Sequence, residues 1–137
     1  MTQDYKDIDG YWGVLFVYGY DIDKDYDIIE DILYSFGLDT PAVRKSMRIL
    51  AEPNTGMAVT KSTLKMSVVF LGCTTSRGQW YDTIMHEIDH VQSAICDYYG
   101  VLQGSEEAAY LQGYLARVAA PIIEDVCPMC GLNYKNC

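Results

Sequence analysis

Met85-His86-Glu87-Ile88-Asp89-His90 is the stretch on which the reading turns. On a helix, positions i and i+4 share a face, so His86 and His90 can reach one metal ion together. Glu87 sits between them, a carboxylate placed to take a proton from a water at that ion. These are the only two histidines in the chain. Their spacing around a glutamate predicts a metal site, with Zn2+ the expected ion. The competing reading is a surface helix that carries the pattern by accident.

The surroundings support a helix. Ser76 and Gln79 have the spacing of a capping box, and Gly100 is a stop signal, so the helix is expected over residues 76–99. Ile84, Ile88, Val91 and Ile95 form its apolar stripe. At about 100° per residue, both histidines lie about 160° from Ile88. One face therefore anchors the helix, and the other presents His86, His90, Ser93 and Asp97. An ordinary surface helix would carry Lys and Glu there, so this face reads as the floor of a cleft.

Outward from this helix, the chain alternates short strands and helices. Residues 1–10 read as an irregular lead-in. Aromatic and β-branched residues predict a strand over 14–18. The aspartates at 21, 23, 25 and 27 have a calcium-loop spacing, but Tyr26 and Ile32 stand where such a loop needs glycine and glutamate, so a solvated turn is expected. Ile28, Ile29, Ile32, Leu33 and Phe36 recur at helical spacing, with Gly37 as a stop. Thr40 as N-cap and Pro41 as first helical residue open a second helix to Leu50. Two strands over 57–60 and 66–71 read as a hairpin, after a turn at Pro53, Asn54 and Gly56. Ser105 caps a last helix from Glu106 to about Glu124, with a kink or a separate second short helix expected at Pro121. The expected class is α+β: a small, mostly antiparallel sheet packed on the histidine helix and the following helix. One domain over 1–126 and a cysteine-containing tail over 127–137 are expected.

Composition narrows the function. A chain of 137 residues that is 50% apolar can build one globular core. A net charge of −9 argues against nucleic acid and anionic membrane surfaces, which are bound through Lys and Arg. The first ten residues lack the basic and apolar regions of a secretory signal, and no apolar run is long enough to span a bilayer. The expected compartment is the cytoplasm. Five cysteines then read as thiols or metal ligands. Cys127-Pro128-Met129-Cys130-Gly131 has the form of a zinc knuckle, with Cys137 as a third donor, against the alternative of a reduced, flexible tail.

A catalytic zinc uses three protein donors and leaves a position for water. Cys96 falls where metzincins place their third ligand, but Ser93 replaces their helix-breaking glycine, which sets that family aside. The His-Glu-x-Asp-His form also resembles the motif of peptide deformylase, with Cys73 in Leu71-Gly72-Cys73-Thr74-Thr75 as the cysteine. That cysteine lies closer to the histidines than deformylases place it, and their Gly-x-Gly-x-Ala motif is missing, so Cys73 reads as a buried thiol at a strand end.

Over residues 68–120 the chain resembles the gluzincins, the thermolysin-like metallopeptidases, and looks most like their small single-domain members. The resemblance rests on a strand, the HExxH helix, a linker and a helix beginning Glu106-Glu107. It implies a zincin-like fold, a zinc-dependent peptidase, a peptide or protein substrate, and a glutamate as third ligand. Gluzincin ligands are followed by small residues three and seven positions on. From Glu106 these are Ala109 and Gly113; from Glu107 they are the bulky Tyr110 and Tyr114. Glu106 is the expected ligand and Glu107 the alternative. Tyr110 stands where gluzincins often carry Asp or Asn, so Tyr110 or Asp97 is the candidate to orient a ligand histidine or stabilise the oxyanion. Tyr98, Tyr99, Tyr114 and Arg77 are further oxyanion candidates, each with packing as the plainer reading. The second functional reading is a non-catalytic metal-binding accessory or structural protein, and the third is a metal-free interaction domain.

Overall fold

The computed structural model describes residues 1–131. In chain order the elements are β1 (Thr2–Ile8), β2 (Trp12–Tyr18), α1 (Tyr26–Ser35), α2 (Thr40–Leu50), β3 (Gly56–Lys61), β4 (Met66–Leu71), α3 (Arg77–Tyr99) and α4 (Glu106–Asp125). The class is α+β, with a mixed four-stranded sheet in the order β1-β2-β4-β3.

The two inner strands read as apolar runs because both of their faces are covered. Successive side chains point to opposite faces. Val14, Phe16, Val69 and Leu71 pack with Trp80, Ile84, Ile88, Val91 and Ile95 of α3 and with Leu115, Ala119 and Ile122 of α4. Val17, Val68 and Phe70 pack with Ile29 and Leu33 of α1 and with Val43, Met47 and Leu50 of α2. The sheet is thus a middle layer between two helix pairs.

Two sequence expectations are corrected. Residues 1–10 are not an irregular lead-in: β1 pairs antiparallel with β2 along its length. Asp9 and Gly10 both have positive φ, at the centre of the tight turn that the Tyr11 amide closes on the Ile8 carbonyl. The strand was hidden because it is a polar edge, with Ile8 its one buried residue. The sheet is mostly antiparallel as expected, with both flanking pairs antiparallel, but its central pair, β2 with β4, is parallel. The α1–α2 pair supplies the long connection that parallel strands need. Finally, α2 is capped one residue early: Asp39 Oδ1 accepts the Ala42 amide at 2.9 Å. The expected α1, α3 and hairpin strands stand where they were read.

Candidate metal centre

The helix that carries the histidines is fixed at both ends and along its back. Ser76 caps it, accepting the Gln79 amide through its hydroxyl, and Gly100 ends it at φ +70°. Ile84, Ile88, Val91 and Ile95 are all buried. The side chain of His86 is 67% exposed, while that of Glu87 is only 7% exposed. The motif therefore does two things at once: the imidazoles face outward and the carboxylate is drawn under them.

His86 Nε2 and His90 Nε2 stand 3.2 Å apart. Two nitrogens bound to one tetrahedral zinc at 2.0–2.1 Å would be separated by about 3.3 Å. The pair is thus already spaced as adjacent ligands, although 3.2 Å also suits an N–H···N hydrogen bond between neutral rings. Glu87 Oε1 lies 4.0 Å from His86 Nε2. Burial raises the Glu87 carboxyl above the ordinary carboxylate range, and the two neighbouring histidines pull it back in part.

A cleft of about 420 Å³ opens in front of these groups, lined by His86, Glu87 and His90 on one side and by Met57, Ala58 and Thr60 of β3 on the other. A neighbouring hollow of about 260 Å³ adds Asn54, Thr55, Asp82 and Thr83. β3 is an outer strand of the sheet, whereas β4 is interior. Gly56 sets how closely β3 meets α3. A Cβ there would come within 2.8 Å of Thr83 Cγ2 and 2.9 Å of Glu87 Cγ. The sequence marked Gly56 only as a turn residue; its closeness to a helix nearly thirty positions away leaves no local trace.

The structure does not bring Glu106 or Glu107 into a ligand set with the histidines. Both are exposed on the first turn of α4. Helix α4 runs antiparallel to α3: Gln92 Nε2 donates to the Ala108 carbonyl at 3.1 Å, and Trp80 Nε1 donates to the Ile122 carbonyl at 3.3 Å. Gln92 is two residues past His90, about 160° around the helix from it. Helix α4 therefore occupies the side of α3 turned away from His90. Among the described residues, no three His, Cys, Asp or Glu side chains stand ready to hold a metal ion.

The remaining candidates have other occupations. Tyr110 is 75% exposed and lines a separate cavity with Asp9, Tyr11 and Arg117. Tyr114 donates to Asp9 Oδ1, and Tyr99 donates to the Tyr11 carbonyl. Tyr98 packs edge-on against Trp12 and Tyr99. Arg77 Nη1 donates to the Ile123 carbonyl near the end of α4. Asp97 is exposed on α3, seven residues beyond His90. Of the cysteine group, Cys127 and Cys130 are described and Cys137 lies outside the described residues. Residues 127–131 are not a loose tail: Cys127 is buried, and Pro128 accepts the Thr74 amide.

One group escaped sequence reasoning. The Tyr20 hydroxyl is buried without a hydrogen-bond partner among the described residues, and burial, then the charges of Cys73 and Glu87, push it well above the usual phenol range. No helix among the described residues is long and apolar enough to cross a membrane. Comparison of the chain with protein-family models, with curated proteins and with solved structures finds no match.

Proposed function

We propose that this protein is a zinc-dependent peptidase of zincin-like design whose centre is His86, Glu87 and His90. The observation that carries the reading is the 3.2 Å approach of two exposed imidazole nitrogens, one of them 4.0 Å from the buried Glu87 carboxylate. A zinc ion held by the histidines would supply a Lewis acid and make water more acidic at neutral pH. The protein's own part is then proton handling and positioning. Glu87 accepts a proton from the attacking water at a carboxylate oxygen, holds it, and returns it to the nitrogen of the leaving amine. Its desolvated setting suits that role, because a base nearer neutrality both takes and gives a proton readily. β3, an outer strand beside the histidines, offers backbone groups for pairing with an extended peptide.

Two histidines are two of the three donors that a catalytic zinc uses. Glu106, implied by the gluzincin resemblance, enters the set only if the start of α4 moves around α3. This favours a second reading, a metal-binding protein without peptidase activity. Glu87→Gln separates the two. Under the peptidase reading, the variant keeps wild-type zinc content and loses cleavage of a peptide library by at least about a hundredfold, as expected for removal of a general base. Equal cleavage by both proteins would overturn it.

A further inference from the structure

β1 is an outer strand and pairs only with β2, so its other edge carries a row of N–H and C=O groups that no strand among the described residues meets. Sheet edges are commonly blunted by prolines, bulges or short length. β1 has none of these: its seven residues include no proline, and each is matched in order along β2. Only Ile8 of this strand joins a hydrophobic core. Thr2, Gln3, Tyr5 and Asp7 are exposed, and Asp4 and Lys6 are half-buried. Tyr5 leans across β2, where a Cβ on Gly13 would lie 2.6 Å from its hydroxyl, and it is still 54% exposed. Asp4 and Lys6 share the other face, with Lys6 Nζ 3.5 Å from Asp4 Oδ1.

The order of these charges is self-complementary. In a two-fold antiparallel pairing, directly opposed residues point to the same face of the sheet, so odd positions meet odd and even meet even. Centred on Tyr5, the pairing sets Asp4 against Lys6 of the second copy and Lys6 against its Asp4. Tyr5 then faces Tyr5, and Gln3 faces Asp7. In the next allowed register on either side, the axis passes through Asp4 or Lys6 and sets that charge against its own copy. Opposite charges and paired aromatics stabilise a ladder, whereas directly opposed like charges destabilise it. We propose that β1 pairs antiparallel with β1 of a second copy, centred on Tyr5, and so joins two four-stranded sheets into one across a two-fold dimer. Main-chain bonds between the edges supply affinity, and the two Asp4–Lys6 pairs set the register. The interface is independent of the histidine centre, which faces β3 at the opposite edge of the sheet.

Sedimentation of the reduced full chain over a range of concentrations tests it. The wild type should show a reversible monomer–dimer equilibrium. Lys6→Glu sets acid against acid and Asp4→Lys sets base against base, so each variant alone should dimerise at least about tenfold more weakly. Mixed in equal amounts, the two variants should form a heterodimer as tight as the wild-type dimer, because one strand then carries acids where its partner carries bases. The mixture reads a gain of association, which a folding defect in either variant cannot imitate. A wild type that stays monomeric at its highest soluble concentration, single variants that associate as tightly as wild type, or a mixture that does not recover the dimer would each overturn the proposal.

Discussion

The Gln92 side chain donates to the Ala108 carbonyl from the face of α3 opposite His90, and that bond fixes where α4 lies relative to the histidines. Gln103 donates in turn to Gln92 Oε1 at 3.1 Å, so the buried amide is held at both ends. The consequence bears on the third ligand. With α4 seated behind α3, Glu106→Gln and Glu107→Gln should each leave the zinc content of the purified protein unchanged, whereas His86→Ala should abolish it. Elemental analysis of the three variants checks this. Zinc lost from Glu106→Gln would show that the start of α4 swings toward the histidines when metal binds.

Gly56 is where β3 and the motif helix touch. Its missing side chain leaves room for Glu87 Cγ, Thr83 Cγ2 and, at 3.0 Å from a built Cβ, the Phe70 carbonyl oxygen. The two side-chain atoms can shift, but the Phe70 carbonyl belongs to β4 in the centre of the sheet and cannot. Gly56→Ala should therefore destabilise the fold by about 1–3 kcal/mol, the usual cost of overpacking. It should also lower any peptidase activity by displacing Glu87. Urea midpoints read the first effect and turnover reads the second; a stability equal to wild type would mean that β3 moves freely away from α3.

Asn54 holds the loop that borders the same cleft. Its Oδ1 accepts the Thr75 amide at 2.9 Å, and its backbone sits at φ +59°. Asn54→Ala loses the side-chain bonds and also places an ordinary residue in the left-handed region. Asn54→Gly loses only the bonds. Thermal unfolding should rank wild type above Gly and Gly above Ala, with the last two separated by about 1 kcal/mol. The reverse order for Gly and Ala would show that the backbone conformation is not what the asparagine serves.

How much of this was legible in the chain depended on whether the signal was local. Residues 77–99 declared themselves through Ser76, Gly100 and the isoleucine stripe, and the outward histidines with them, because all of that is one helix's own periodicity. β1 was missed because its alternate residues are polar and it borrows its order from pairing with β2; the Asp9-Gly10 turn was the one clue available. The side of α3 on which α4 packs depends on Gln92, Trp80 and Arg77 meeting carbonyls of another helix, and nothing in their spacing says so. The same holds for Gly56 against Glu87 and for Thr74 against Pro128. Short-range chemistry could be read directly, while the long-range juxtapositions that complete a site had to come from the fold.

The Tyr20 hydroxyl offers a test of stability. It is buried with no partner among the described residues, so it contributes a desolvation cost and no bond in return. Tyr20→Phe removes the orphan oxygen and keeps the ring that packs edge-on with Phe70. The variant should be as stable as wild type at neutral pH, or more stable by up to about 1 kcal/mol. The sign with pH follows from burial. In the folded protein the phenol is raised above its ordinary value of 10.0, mainly by desolvation, so the native state keeps the proton after the unfolded chain has lost it. The native state then binds more protons than the unfolded one, and stability falls as pH rises above about 10 while being unaffected below it. For one group the slope approaches about 1.4 kcal/mol per pH unit. Urea midpoints measured at pH 8 and pH 11 should fall less steeply for Tyr20→Phe than for wild type. Identical losses in the two proteins would mean that the hydroxyl reaches solvent or finds a partner.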